Sequence, residues 1–220
     1  MFLFYISPSL AQDIYVKAVA GNYQMENLKK LQREFEATLL SNDIPVSVVS
    51  SFPISLQGEF GIDGTLRDGL LLGGFANYAV TEGRVSYSDY SGSVAIVQDL
   101  KRVLVGARIL YDIGDNFNLY GKVGLNWTRL VIQTETALVG LGTSKEQAAD
   151  VQSFGVAIEP GIQWSKKFNR IKFEANAGYE GNISGKLKND DGAYLIDNNG
   201  GPITANWSGF RIGIGLCFSL

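Results

Sequence analysis

Any chemistry in this chain of 220 residues falls to carboxylates, lysines and arginines, because it contains no histidine and a single cysteine, Cys217. The commonest general base and metal ligand is therefore missing. One cysteine cannot supply a disulfide framework or a cysteine-held zinc ion. The charged residues that could act together are Lys17, Glu59, Asp63, Arg108, Asp112, Lys122, Glu159, Lys172, Glu174, Glu180 and Arg211, interleaved with small residues. Both signs are present and no His accompanies any Ser, so a structural ion-pair network is a simpler reading than an acid–base site. Asp190, Asp191 and Asp197 crowd one Gly-rich segment with Asn189, Asn198 and Asn199. They are a weak candidate for oxygen ligation of calcium, without EF-hand spacing, and an ordinary solvated loop is the competing reading. The segment from Gly140 to Lys145 hints at a phosphate loop but lacks its spacing. No cofactor is expected.

The elements that position these residues follow from composition and period. Apolar residues make up 45% of the chain, yet no stretch after the first residues approaches the 18 or more that a membrane-spanning helix needs. A formal charge of -3 gives no electrostatic footprint for nucleic acid. The apolar residues instead alternate. Phe52, Ile54, Leu56, Gly58, Phe60 and Ile62 oppose Ser51, Ser55, Gln57, Glu59, Gly61 and Asp63, a period of two that predicts a strand. The same alternation returns over 103–113, 119–128, 154–164, 171–180 and 210–220, and more weakly over 12–23 and 68–81, giving eight strands.

The predicted connections alternate in length. Long ones (24–45, 82–95, 133–152 and 185–205) take turns with short ones (65–67, 114–117 and 166–169), the arrangement of transmembrane barrels with short turns at one end and long loops at the other. In the first long connection Met25, Leu28, Leu31, Phe35 and Leu39 recur at spacings of three and four, while Glu26, Lys29, Lys30, Arg33, Glu34 and Glu36 take the opposite side. This predicts an amphipathic helix whose stripe either caps the barrel mouth or docks on a partner protein or lipid headgroups.

Alternation alone does not say which face points inward, and a soluble barrel shares the period. The polar face decides. It is rich in Gly and Ala, as at Gly155, Ala157, Gly161, Gly178, Gly213 and Gly215, which suits the narrow interior of eight strands with the charges named above paired inside. The apolar face then meets lipid. Phe60, Trp164 and Phe218 toward the short turns, and Trp127 and Trp207 toward the long loops, are expected to form two aromatic girdles. Pro53 and Pro160 each predict a bulge, since proline cannot donate to a ladder.

The first residues, Phe2 to Gln12, resemble the end of a secretory signal, so 1–12 is read as a signal remnant and 13–220 as one barrel domain. Alternating strands, connection lengths and the C-terminal run Phe210 to Leu220 together resemble the small outer-membrane β-barrel proteins of Gram-negative bacteria, the OmpA/OmpX-like group. The resemblance rests on pattern across nearly the whole chain rather than on a signature motif. It implies an all-β, eight-stranded antiparallel transmembrane barrel in the outer membrane, with outer-membrane lipid as its surroundings. Lipid A deacylases and omptin-like proteases share the architecture but lean on histidine, so the expectation is a non-enzyme. A scaffold with a filled polar lumen, presenting its loops and helix, is the first expectation, and a narrow channel for small solutes, as in OmpW-like relatives, is the alternative.

Overall fold

The computed structural model describes residues 12–140 and 142–219. The signal segment therefore lies outside the described residues except for Gln12, which opens the first strand. In chain order the elements are β1 (Gln12–Tyr23), α1 (Glu26–Leu40), β2 (Ser47–Ser51), β3 (Ser55–Arg67), β4 (Leu70–Asp89), β5 (Gly92–Gly114), β6 (Phe117–Leu138), β7 (Gly142–Phe168), β8 (Ile171–Ser184) and β9 (Gly209–Ser219). Eight of the strands form a ring, each antiparallel to its neighbours. β3 to β9 follow in sequence, and β1 closes the ring between β9 and β3. The ninth, β2, pairs with β4 above the end of β3. It continues β3 across a break at Phe52, Pro53 and Ile54, where Phe52 takes a positive φ of 49° and turns into the interior.

Register fixes the shape of the ring. Following paired residues from Tyr78 one way leads through Val103 to Trp127 on β6. The other way leads through Gly58, Ala18, Ile214, Ala175 and Trp164 to Phe117 on the same strand, ten residues lower. A stagger of that size over eight strands corresponds to a tilt of about 40°. Outward residues are apolar from Val103 to Ile113 on β5, giving way to Lys101 and Asp99 above. Ten residues at about 3.3 Å each and that tilt make a band roughly 25 Å tall, matching the lipid-facing belt of membrane barrels. Its exterior is apolar and its interior charged, the architecture of an outer-membrane β-barrel.

Three expectations about local structure are corrected. Glu82 to Ala95 and Gln133 to Gln152 are not long loops: β4 and β5 stay paired to Asp89↔Gly92, and β6 and β7 to Leu138↔Gly142. Their inward side chains, Val85, Leu100, Ile132 and Val151, are buried, which keeps these tall hairpins zipped beyond the lipid band. Asp89 closes the first hairpin by accepting hydrogen bonds from Ser91 and Tyr87, which hold its carboxyl down to about 2. Pro160 causes no bulge. β7 keeps one register through it, and only the pairing of Glu159 and Pro160 toward β8 is interrupted, as expected where a residue has no N–H to give. Finally, the short turn after β3 centres on Asp68 and Gly69, so β4 starts at Leu70.

Candidate functional site

The barrel interior is layered, and the middle layer is ionic. Arg211 on β9 is fully buried and reaches three carboxylates. One Nη donates to Glu159 and to Glu180 (3.1 Å), and the other donates to Gln57 (3.1 Å) and Glu59 (3.3 Å). Lys122 on β6 donates to both oxygens of Glu59 at 2.7 and 2.8 Å and lies 3.7 Å from Glu159. The Tyr120 hydroxyl donates to Glu159 at 2.6 Å. Above them Arg102 donates to Glu180 and to Asn77 and stacks 4.5 Å from the Trp207 ring centre. Below, Lys17 bridges Glu174 (2.8 Å) and Gln163 (2.7 Å), and Arg108 donates to Asp63 at 2.7 Å while lying 4.0 Å from the Tyr15 ring centre.

Glycines make room for the rings. Gly61 faces Tyr15 across the β1–β3 ladder, and Gly161 faces Tyr120 across β6–β7, each at the point where the ring folds over its partner. This accounts for the small residues on the inner face.

Among the described residues the interior holds five bases (Lys17, Arg102, Arg108, Lys122, Arg211) and five acids (Glu59, Asp63, Glu159, Glu174, Glu180), every one buried. Nine of the eleven charges expected in the lumen are in this set. Asp112 is exposed in the β5–β6 turn region, and Lys172 is half-buried at the rim, bonded to Asp13 at 2.9 Å. Arg102 was missed, although its even position on β5, shared with Arg108, would have placed it inside. Below Arg108 and Asp63 the turn end opens into a vestibule of about 490 Å³ whose walls include Asp63, Arg108 and Glu174.

Above the ionic layer lies an apolar cap. Met25, Leu28 and Leu31 of the helix stripe are buried with Phe52, Leu100, Leu130, Leu187, Ile203 and Trp207, while Phe35 packs against this cluster from the side and Leu39 is only half-covered. Trp207 therefore does not belong to a girdle. It shares the odd, inward parity of Arg211, its Nε1 donates to Thr128 at 3.1 Å, and its ring meets Tyr23 edge-on at 5.0 Å. Phe60 faces outward but at mid-height, because β3 runs on to Arg67. Trp127, Trp164 and Phe218 lie on the outer face, Trp127 in an outward row with Tyr78 and Phe154, and the other two near turn ends.

The last connection closes over the helix. Lys30 donates to Asp197 at 2.6 Å, Asn27 to Thr204 at 2.8 Å, and the Asn198 N–H to Glu34 at 3.2 Å. The hydrogen bond from Lys30, helped by backbone N–H groups of Gly201 and Asn199, lowers the Asp197 pKa below its ordinary value. These bonds occupy Asp197, and Asp190 accepts from Gln152 (3.2 Å), so the calcium candidate Asp190, Asp191 and Asp197 does not converge. Among the described residues no group of three His, Cys, Asp or Glu side chains is placed to hold a metal.

No protein-family model matches the chain, and no curated protein matches it. Solved structures similar to it in fold are outer-membrane proteins. They include Ail of Yersinia pestis, in complex with the heparin analogue sucrose octasulfate (11% identity, 96% of this chain and 99% of that one, TM-score 0.43). Neisserial surface protein A is another (11%, 95% and 97%, TM-score 0.35), as is the outer membrane protease OmpT of Escherichia coli (12%, 97% and 98%, TM-score 0.39). At these identities and scores the functional reading rests on the residues themselves.

Proposed function

We propose that this chain is a non-enzymatic integral protein of a Gram-negative outer membrane, with a plugged lumen, that acts as an interaction scaffold through the structure it raises above the lipid. The observation that carries the reading is the neutral, buried set of five acids and five bases under an apolar cap. A conducting path would have to break several buried ion pairs, each costly to separate in a low-dielectric interior. The same pairing argues against catalysis, since the lumen carboxylates are engaged by Arg or Lys and no histidine is available as a base.

Charge is partitioned along the barrel axis. Nine basic and thirteen acidic residues lie on the long-hairpin side, against five and four at the turns. The outer crown is thus acidic, which favours basic partners over polyanions. The helix stripe supports capping rather than docking, because its first half is spent on the barrel mouth.

Planar-bilayer recording of the refolded protein tests the reading. Only electrical silence agrees with it; a steady, single-sized conductance overturns the plug in favour of the narrow solute channel. Membrane residence is tested separately by heat-modifiable gel migration and by dependence on detergent, and a protein monodisperse without detergent would not be a membrane barrel.

A further inference from the structure

β7 is 27 residues long, and β8 covers only part of it. Pairing with β8 reaches up to Gly155↔Ser184, and above that the Gly185 N–H donates to the Phe154 carbonyl at 2.7 Å and the bridge Gln152↔Lys188 ties β7 to the last connection. There the Gln152 N–H donates to the Lys188 carbonyl at 2.8 Å, and the Lys188 N–H donates back at 3.0 Å. Backbone groups alternate sides along a strand, so the N–H and C=O of Asp150, two residues nearer the tip, face the same open side. Among the described residues no backbone group meets them.

This open edge forms one wall of a notch. The other wall is the stretch from Asn189 to Leu195, and the space between is about 430 Å³. Asp190 and Asp191 line it and, among the described residues, form no salt bridge, whereas Asp150 is neutralised by Arg129 at 2.8 Å. Tyr194 adds an exposed ring. The extra residue Ala148, inserted between the positions paired to Ile132 and Gln133, bulges the strand above Asp150. Bulges blunt long edges, so the notch suits a short extended segment rather than a whole added strand.

We propose that this notch is a β-augmentation site for a short, extended, basic peptide segment of a partner protein. Its backbone pairs with Asp150, and its Lys or Arg side chains reach Asp190 and Asp191. The proposal rests on the scaffold reading and names the partner's chemistry.

The test uses the full chain in lipid nanodiscs and a fluorescein-labelled Lys-Thr-Lys-Thr-Lys-Thr peptide with blocked ends, followed by fluorescence polarisation. Saturable binding is expected, weaker by about tenfold in the double variant Asp190→Asn/Asp191→Asn, the size of a lost surface charge pair or two. Asp150→Pro removes the free N–H at a position that gives nothing to β6, and is expected to abolish binding. Should Asp150→Pro fail to fold, a peptide with proline at its centre carries the same question on the wild-type barrel. The proposal is overturned by equal binding of a Glu-Thr peptide or the proline-interrupted peptide, by wild-type affinity in the double variant, or by no saturable binding up to about 1 mM. It is also overturned by a dimer of this chain that Asp150→Pro dissolves, which would assign the edge to self-pairing. Conductance is read independently, so failure of the plug and failure of the notch are separate results.

Discussion

Tyr120 lies directly across the β6–β7 ladder from Gly161, and its ring fills the space that any side chain at position 161 would need. The carbonyl of Ala177 closes the same space from β8, 2.5 Å from where a Cβ would sit. Gly161→Ala is therefore expected to push the Tyr120 hydroxyl off Glu159 and to destabilise the barrel by about 1–3 kcal/mol, the usual cost of overpacking. Urea titration of folding into lipid vesicles measures it. The double variant with Tyr120→Ala should lose less than the sum of the two single losses, because the two sites are in contact and their effects do not add.

Arg211→Met leaves Glu59, Glu159 and Glu180 facing one another with less compensation. Removing one partner of a buried ionic group costs about 3–5 kcal/mol, whereas removing the whole group with similar volume is often neutral. The double variant Arg211→Met/Glu159→Gln, which leaves Glu180 to Arg102 and Glu59 to Lys122, should be closer to wild type than Arg211→Met alone in the same titration. The opposite order would deny Arg211 its place at the centre of the network.

The helix stripe divides into two halves with different burdens. Leu28 is fully buried in the cap and Phe35 only partly covered. Leu28→Asp buries an unpaired carboxylate and is expected to cost several kcal/mol, roughly 3 or more, with Phe35→Asp well below that. Proteolysis of the α1 segment in detergent ranks the two. Equal sensitivity would mean the stripe does not seat in the mouth.

The Lys30–Asp197 bond couples the last connection to the helix in a pH-dependent way. The Asp197 pKa is lowered on folding, so its contribution is complete above the ordinary 3.8 and is lost as pH falls through the folded value. Hydrogen-exchange protection across 185–208, taken relative to the intrinsic amide rate at each pH, should be unchanged between pH 7 and 5 and fall in acid. Asp197→Asn should show low protection throughout. A protected loop in that variant would show that the bond is incidental.

Much of this fold was legible because a barrel strand carries its environment in its parity. Leu56, Phe60 and Ile62 against Gln57, Glu59 and Asp63 already separated lipid from lumen. The same rule, carried a few residues further, reaches Arg102 and Trp207, whose inward parity was not followed past the strand ends. Above the lipid band the rule loses its force, because both faces of a tall hairpin meet protein or water, and Val85 and Val151 read as loop residues although both are buried, Val151 within the cap. The notch beside Asp150 was not legible at all. It arises from the unequal lengths of β7 and β8, which depend on where pairing stops rather than on residue type.

The position of Arg211 on the last strand bears on assembly. Until β9 finds both β8 and β1, the other lumen residues carry four bases against five acids, and three of those acids lack their shared cation. Closing the hydrogen-bonded ring and neutralising its contents are thus one event. A barrel stalled before that step holds an uncompensated negative charge beside the bilayer core, which opposes insertion of the unfinished form and favours lipid entry only for the completed one.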